Sequence, residues 1–326
     1  MMKSYLKTLI ITCLCAIATS WCLGQNVKTY DTSNSGLVDN DLRAVVVDNH
    51  GNKWLGTTKS GLIKFDGKTF TVFNKENSVI KGDCVTTLFV DSKGNLWAEF
   101  SRPEEGIVKY DGTNWTVFTA ADLGVDSIDV RDIRETPDGT LWFAFPGKAV
   151  SFKDGNISTS NISSIKIPNS NILCMDVRED GAIAVGCSGQ LLIYSNGKWK
   201  KNTEKNSELQ LGTIRGLKFR PDGSLMIGYG GGFGNGGLSV LSKDFTAWTH
   251  YNKLNSRMPD HMIRDIEYDG HVYWMASNNG LVKMDGTEIS AVFFRTGMYK
   301  NVITDIAMEG NTLWVATNFG LVRYKP

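Results

Sequence analysis

The sequence predicts an all-β fold, a seven-bladed β-propeller made of four-stranded antiparallel blades. Three observations predict it. One motif recurs about every 43 residues, each repeat has the same order of short strands and tight turns, and the two chain ends hold complementary parts of one repeat. The 326 residues include 34 glycines and only 7 prolines, which is typical of many short strands joined by turns.

The repeats are anchored by a tryptophan that follows a turn. Successive anchors are 40 to 48 residues apart, and seven of them fill the chain after its first segment. Ala184 and Met226 take the anchor place in two repeats. The others carry tryptophan, at Trp54, Trp97, Trp142, Trp274 and Trp314.

Each repeat has the same internal order, which the first one shows. An apolar run at 42–47 is followed by an Asp/Gly turn at 48–52, then the tryptophan strand, then a Gly-Leu pair at 61–62. A third strand ends in Phe65, and a second turn leads to a fourth strand at 70–73. Turns of this composition suit short hairpins, so each repeat predicts four antiparallel strands.

The chain ends predict how the ring closes. The seventh repeat stops after its third strand, whereas Val27–Leu37 aligns with 71–80, the fourth strand and exit of the first repeat. We therefore expect Val27–Asp31 to pair antiparallel with the strand near Leu321–Tyr324, so that residues 25–326 form one closed domain.

The first 24 residues resemble a secretory signal. Lys3 and Lys7 precede an apolar stretch at 9–18, and small residues near Gly24–Gln25 suggest cleavage there. A lipoprotein would need small residues before Cys22, where Trp21 stands. No later apolar run is long enough to cross a membrane. We therefore expect a periplasmic or extracellular protein without a transmembrane segment.

The segment Asp48–Gly67 carries the pattern D-x-x-G-x-x-W-h-G-T-x-x-G-L followed by a basic-aromatic-D-G tail. It resembles the repeat of the two-component regulator propeller family. In that family such propellers commonly form the periplasmic sensor part of hybrid two-component proteins and are thought to respond to oligosaccharides. No kinase or coupling domain follows the last repeat here, so the resemblance implies a separate membrane signalling protein as partner.

A ring of charged residues is the main candidate site. Alignment places four arginines near the start of the first strand, on the face that we call the entry face because it carries the interblade connections. The next position carries three aspartates. These groups can grip sugar hydroxyls, carboxylates or phosphates. Alternatively, each arginine pairs with a neighbouring blade and only staples the ring. The residues are Arg43, Arg131, Arg215 and Arg264, with Asp132, Asp265 and Asp305.

Two further features stand out. Glu99 occupies a place that is small in the other repeats, and we expect it opposite Thr86 in an ion pair with Arg131. The glycine-rich segment 228–237 lacks the GK[ST] sequence of a phosphate loop and a following helix, which excludes nucleotide binding. It predicts either a plain insertion or an exposed loop whose Tyr229 and Phe233 stack on a sugar.

The sequence favours ligand binding over catalysis. The net charge of +1 gives no electrostatic case for nucleic acid, and the four histidines form no HxH or HExxH pair. Cys84, Cys174 and Cys187 fit no zinc template, which leaves buried thiols or at most one disulfide. We expect a sensor-type propeller that recognises a glycan or peptide without a cofactor or metal. A lyase or hydrolase of the streptogramin-lyase type, or a structural interaction module, remain alternatives.

Overall fold

Seven four-stranded antiparallel sheets arranged as blades around a central channel make up the protein, which confirms the predicted propeller. The computed structural model describes residues 26–100, 106–159, 172–230, 236–295 and 301–326. The predicted signal segment and Phe233 lie outside these residues. Within the described ranges, no helix has the length and apolar character needed to span a membrane.

Each of the first four blades is a meander of consecutive strands. Blade 1 contains β2 (Leu42–Val47), β3 (Lys53–Thr57), β4 (Leu62–Phe65) and β5 (Phe70–Phe73). Blade 2 contains β6 (Val85–Val90), β7 (Leu96–Phe100), β8 (Ile107–Tyr110) and β9 (Trp115–Phe118). Blade 3 contains β10 (Asp132–Glu135), β11 (Leu141–Phe145), β12 (Lys148–Lys153) and β13 (Asn156–Thr159). Blade 4 contains β14 (Ile172–Val177), β15 (Ile183–Cys187), β16 (Gln190–Ser195) and β17 (Lys198–Asn202).

The remaining blades follow the same plan, except that the last one takes its outer strand from the start of the chain. Blade 5 contains β18 (Thr213–Phe219), β19 (Leu225–Gly230), β20 (Leu238–Leu241) and β21 (Trp248–Tyr251). Blade 6 contains β22 (Ile263–Tyr268), β23 (Tyr273–Ser277), β24 (Gly280–Asp285) and β25 (Glu288–Val292). Blade 7 contains β26 (Ile303–Glu309), β27 (Thr312–Thr317), β28 (Gly320–Tyr324) and β1 (Val27–Tyr30).

The ring closes as the chain ends predict. Strand β1 pairs antiparallel with β28, from Val27 opposite Tyr324 to Tyr30 opposite Leu321. The ring of Tyr30 packs 5.0 Å from Phe65 of blade 1 and 6.1 Å from Trp314 of blade 7, measured between centroids. The closing strand therefore contributes a full ladder to one blade and an aromatic contact to the next.

The hydrophobic core lies between neighbouring blades. Ala44 and Trp54 of blade 1, for example, pack in one buried cluster with Val85 and Leu88 of blade 2. In six of the seven blades the position two residues after the anchor is small, as this packing requires, and Glu99 of blade 2 is the exception. A Cβ atom at Gly56 would lie 2.6 Å from the carbonyl oxygen of Val85 in the next blade. The blades therefore approach closely only where this position lacks a side chain or carries a methyl group.

An acidic residue from the preceding turn holds most anchor tryptophans. The indole Nε1 of Trp54 donates to Asp48 over 2.9 Å, and Trp97 donates to Asp91 over 2.9 Å. Blades 6 and 7 repeat the arrangement with Asp269 under Trp274 and Glu309 under Trp314. We call this pairing the acid–tryptophan clasp. The Nε1 of Trp142 in blade 3 is buried without a partner among the described residues.

Two of the three cysteines agree with the prediction of buried thiols in strands, whereas Cys84 is partly buried and precedes β6. No disulfide joins Cys84, Cys174 and Cys187, and the last two are buried in strands. Burial raises the pKa of the Cys187 thiol to about 12, so this group stays protonated and unreactive at neutral pH.

Candidate ligand-binding site at the channel mouth

A β-bulge places the ring residues at the channel mouth. In six blades the register between the first two strands shifts near the start of the first strand, at its second residue or, in β18, at its third. The bulge leaves that residue out of the hydrogen-bond ladder between the two strands and changes the direction of its side chain. The residues concerned are Arg43, Thr86, Leu173, Arg215, Arg264 and Thr304. In blade 3 Arg131 has the equivalent place, and its backbone N–H bonds to the carbonyl of Ala144.

All seven of these residues line one cavity of about 560 Å³ along the channel. The structure therefore brings the four predicted arginines together in one layer. Because the first strands begin and the fourth strands end on the same side of antiparallel blades, this layer lies at the entry face.

The four arginines differ in their partners. Arg43 donates to the Thr58 hydroxyl over 2.9 Å and lies 3.3 Å from Asp41. Arg131 pairs with Asp129 over 2.8 Å. These two arginines are thus compensated by carboxylates from their own connections, although their side chains stay 45% and 46% exposed.

The other two arginines, Arg215 and Arg264, differ in that no ion pair within the described part of the chain balances their positive charge. Nη2 of Arg264 donates to the amide oxygen of Asn278 over 2.7 Å, while its Nε is buried without a partner among the described residues. Arg215 is exposed, and its stem lies directly over Gly230. Neither forms an ion pair with a carboxylate of the described residues. This side of the mouth is therefore electropositive.

The pKa of Arg264 is lowered in this electropositive surrounding. Burial lowers this pKa, and the positive charges of Arg215 and Arg43 lower it further, against a smaller opposing effect of Asp260. A bound anion would relieve this repulsion, because it would supply the opposite charge that the protein leaves out. The mouth is accordingly suited to a carboxylate, sulfate or phosphate group.

The aspartates that follow the arginines have a different role from the one that we expected. Asp132 accepts a hydrogen bond from the backbone N–H of Met175 in blade 4 over 2.7 Å. Asp305 accepts from Val45 in blade 1 over 2.7 Å, and Asp265 accepts from Ile306 in blade 7 over 3.3 Å. The interblade staples are therefore these aspartates. The alternative that the arginines staple the ring is wrong for the contacts described.

Burial raises the pKa of two of these aspartates, Asp132 and Asp305. It raises the pKa of Asp132 to about 6, although Arg134 lies only 2.7 Å away and opposes the shift. The pKa of Asp305 is raised well above its ordinary value by burial and by the neighbouring charge of Asp265. Both effects favour the protonated form of Asp305.

A deeper charged layer was not found from the sequence. Arg134 lies beside Asp132, and Nζ of Lys218 bonds to Glu267 over 2.9 Å. With Asp176 these residues line the same cavity below the mouth. They stand three positions after the ring residue in blades 3 to 6, which is a signal that the sequence does contain.

Glu99 lies at the seam between blades 2 and 3 and is only 1% exposed. It pairs in register with Thr87, not with Thr86, because the bulge adds one residue. The Thr86 hydroxyl nevertheless donates to it over 2.6 Å. Arg131 pairs with Asp129 instead, so the predicted Glu99–Arg131 ion pair is wrong. Burial raises the pKa of Glu99 to about 7, which leaves it largely protonated below neutrality.

The expected exposed loop does not include Tyr229. This residue lies in β19 and is 1% exposed, and its hydroxyl accepts a hydrogen bond from Ser239 over 3.0 Å. Burial raises its pKa to about 12. Its place at the end of a core strand explains the error, because the glycines that follow Tyr229 suggested that the loop began earlier.

Other chemistry has little support in the described residues. Ser239 Oγ lies 2.7 Å from Nδ1 of His250, but Ser239 is fully buried and out of reach of a substrate. The described part of the chain contains no group of three His, Cys, Asp or Glu side chains placed to hold a metal ion. No histidine is among the described residues that line the channel.

Comparison with known proteins supports the fold. No family model and no curated protein sequence matches the chain. Among solved structures it is similar to the extracellular domain of a protein described as a hybrid two-component system from B. thetaiotaomicron. That match has 20% identity, a TM-score of 0.75, and coverage of 92% of this chain and 41% of the other.

Two further similar structures have other described activities. One is a catalytically inactive histidine-to-alanine variant of virginiamycin B lyase from Staphylococcus aureus with quinupristin, at 15% identity and a TM-score of 0.74, covering 92% and 99% of the two chains. The other is YCF48 bound to D1 peptide, at 13% identity and a TM-score of 0.66, covering 92% and 97%. At these identities the likeness establishes the propeller fold and no activity.

Proposed function

We propose that this protein is a secreted or periplasmic ligand-binding propeller of the sensor type, which recognises an anionic glycan or peptide at its channel mouth. One observation carries the proposal. Arg215 and Arg264 meet at the mouth of the 560 Å³ cavity without a carboxylate partner among the described residues. Arginines left uncompensated beside a cavity are suited to bind an anionic group.

The setting agrees with such a role. The first segment has the features of a secretory signal, and a structural neighbour is an extracellular domain of a described two-component system. The described residues provide no membrane-spanning helix. As part of the proposal, the ligand-bound propeller would associate with a separate membrane signalling protein.

The test is a thermal-shift screen of oligosaccharides and peptides with and without an acidic group. A ligand at 100 times its Kd stabilises the folded state by about 2.7 kcal/mol. We expect only acidic compounds to stabilise the protein, and we expect Arg215→Ala/Arg264→Ala to abolish that response. Lys68→Ala, an exposed cation in the β4–β5 turn on the face opposite the entry face, is the control. Equal responses to neutral compounds would refute the proposal.

The same samples test for catalysis. Propellers of similar fold include lyases, and the fold alone does not separate binding from turnover. Mass spectrometry of each stabilising compound after incubation would reveal a cleaved or isomerised product. Such a product, lost in the double arginine variant, would replace the binding proposal with an enzymatic one.

A further inference from the structure

We propose that the channel mouth binds a free peptide carboxyl terminus whose last residue has an aliphatic side chain. The inference rests on the proposed function and specifies its ligand. Arg215 and Arg264 would hold the terminal carboxylate, and a small pocket beside them would hold the side chain.

The pocket lies between blades 5 and 6. Its volume is about 100 Å³, and its walls include Leu211, Gly230, Gly236, Met262 and Asn278. The wall is closely packed at Gly236, since a Cβ atom there would collide with the carbonyl oxygen of His261. The site is therefore a small recess with partly apolar walls that larger residues at these positions would fill.

Both uncompensated arginines rest on the walls of this pocket. The stem of Arg215 lies so close over Gly230 that a Cβ atom there would collide with its Cγ. Nη2 of Arg264 bonds to the amide oxygen of Asn278, another wall residue, over 2.7 Å. The pocket thus adjoins both arginines through its walls, and guanidinium groups bind carboxylates through paired hydrogen bonds.

The size of the pocket separates a peptide from a glycan. The pocket has a volume of only about 100 Å³. That is room for one aliphatic side chain, whereas a sugar ring with its hydroxyls is larger and would leave Leu211 and Met262 against polar groups.

The surface around the pocket is suited to the rest of a peptide. The large apolar side chains that are exposed in the described residues all lie in interblade connections, hence on the entry face. Apolar contacts around a charged centre are typical of protein recognition surfaces. These side chains are Val38, Val79, Leu211, Leu254 and Phe293.

Isothermal titration with four probes tests the inference. The first is an acetylated pentapeptide ending in Ala-Leu with a free carboxyl group. The second is its carboxyl-terminal amide, the third replaces the last Leu by Gly, and the fourth is a tetramer of galacturonic acid. We expect the first probe to bind, and the amide and glycine probes to bind at least about tenfold more weakly, because each lacks one of the two contacts.

Variants assign the binding to this pocket. Arg215→Ala/Arg264→Ala should abolish binding of the first probe, and Leu211→Asp should weaken it at least about tenfold by placing a negative charge at the pocket rim. Lys68→Ala, in the β4–β5 turn on the opposite face, should bind as the unchanged protein does. Circular dichroism melting of every variant establishes that the fold is intact before titration.

The outcomes separate the inference from the proposed function. If the galacturonate tetramer binds through Arg215 and Arg264 and the peptide acid does not, the inference is wrong and the function stands. Equal binding of peptide acid and amide also refutes the inference. If no acidic probe binds, both the inference and the proposed function are refuted.

Discussion

The blades of the ring fall into two arcs that stabilise their hairpins differently. In blades 6, 7, 1 and 2 an acidic residue five or six positions before the anchor accepts the indole N–H of a tryptophan. In blades 4 and 5 the same place carries Arg178 and Arg220, and the anchors are Ala184 and Met226. Blade 3 combines Thr136 with Trp142, whose indole N–H lacks a partner among the described residues.

The difference shows two ways to fill one interblade gap. A tryptophan fills the gap itself and needs an acceptor for its buried N–H. Where the anchor is smaller, the arginine of the turn reaches the next blade. The guanidinium of Arg178 lies 5.0 Å from the ring centroid of Phe245 and bonds to the carbonyl of Gly223, and that of Arg220 lies 5.2 Å from the ring centroid of Tyr273. In these six blades an acidic turn residue therefore accompanies a tryptophan anchor, and a turn arginine accompanies a smaller anchor.

Deleting residues 25–36 should cause the largest loss of stability, and it should act on the arc of blades 6, 7, 1 and 2. The deletion removes the β1 ladder and the Tyr30 contacts with Phe65 and Trp314. We expect a loss of at least about 4 kcal/mol, since removal of one buried aromatic side chain alone costs about 3–5 kcal/mol. The melting temperature should fall by roughly 10 °C or more. An unchanged melting temperature would show that β1 is not needed for closure.

Asp91→Ala should show how much one clasp contributes. Asp91 accepts hydrogen bonds from the indole of Trp97 and from the amide of Asn95, and it is buried. Its removal leaves both groups without a partner, and we expect a loss of roughly 3–4 kcal/mol in chemical denaturation. Asp285→Ala, at an exposed surface pair, should cost less than about 0.5 kcal/mol. Equal costs would mean that the clasp is dispensable.

Glu99 lies between blades 2 and 3, where the two arcs meet. Glu99→Gln should change how the free energy of unfolding depends on pH. The pKa of Glu99 is raised to about 7 in the folded protein. Folding therefore favours its protonated form, and stability falls as pH rises from the unfolded pKa to about 7. At pH 8 this cost is at most about 3 kcal/mol.

The glutamine variant should lack that decline and be more stable than the unchanged protein at pH 8. Denaturation at pH 5 and pH 8 measures the effect, with the exposed Glu76→Gln as control. Parallel pH profiles for all three proteins would mean that the Glu99 carboxylate is hydrated and not buried at the seam.

Thr136→Asp should extend the clasp to blade 3 and have the smallest effect. Thr136 stands six positions before Trp142, the spacing of Asp48 to Trp54. A carboxylate there would accept the buried indole N–H, for a gain of about 1 kcal/mol. In a Trp142→Phe background the gain should vanish. A gain that persists there would come from the turn itself and not from the tryptophan.

The fold was predictable from the sequence because repetition amplifies weak local signals. One anchor tryptophan is ambiguous, but seven evenly spaced anchors and the alignment of Val27–Leu37 with an outer strand specify the ring and its closure. Four arginines at one repeat position also correctly indicated one layer of the channel.

The contacts at the site were less predictable, because they depend on single residues. The bulge at Thr86 shifts the register between β6 and β7 by one residue, and no residue pattern in β6 predicts it. Whether Asp132 faces a ligand or a neighbouring backbone depends on the distance between blades, which the sequence does not state. Tyr229 illustrates the same limit, because a strand end and a loop start are alike in glycine-rich sequence.

The pairing of β1 with β28 also has a kinetic consequence. The first strand to emerge during synthesis has its partner in the last one, with almost the whole domain between them. Contacts of such large sequence separation form late and slow the folding rate. Until then both edges of the open ring are available to other chains. We therefore infer that refolding is rate-limited by closure, and that the Tyr30–Trp314 contact, followed by tryptophan fluorescence, forms in the slowest phase.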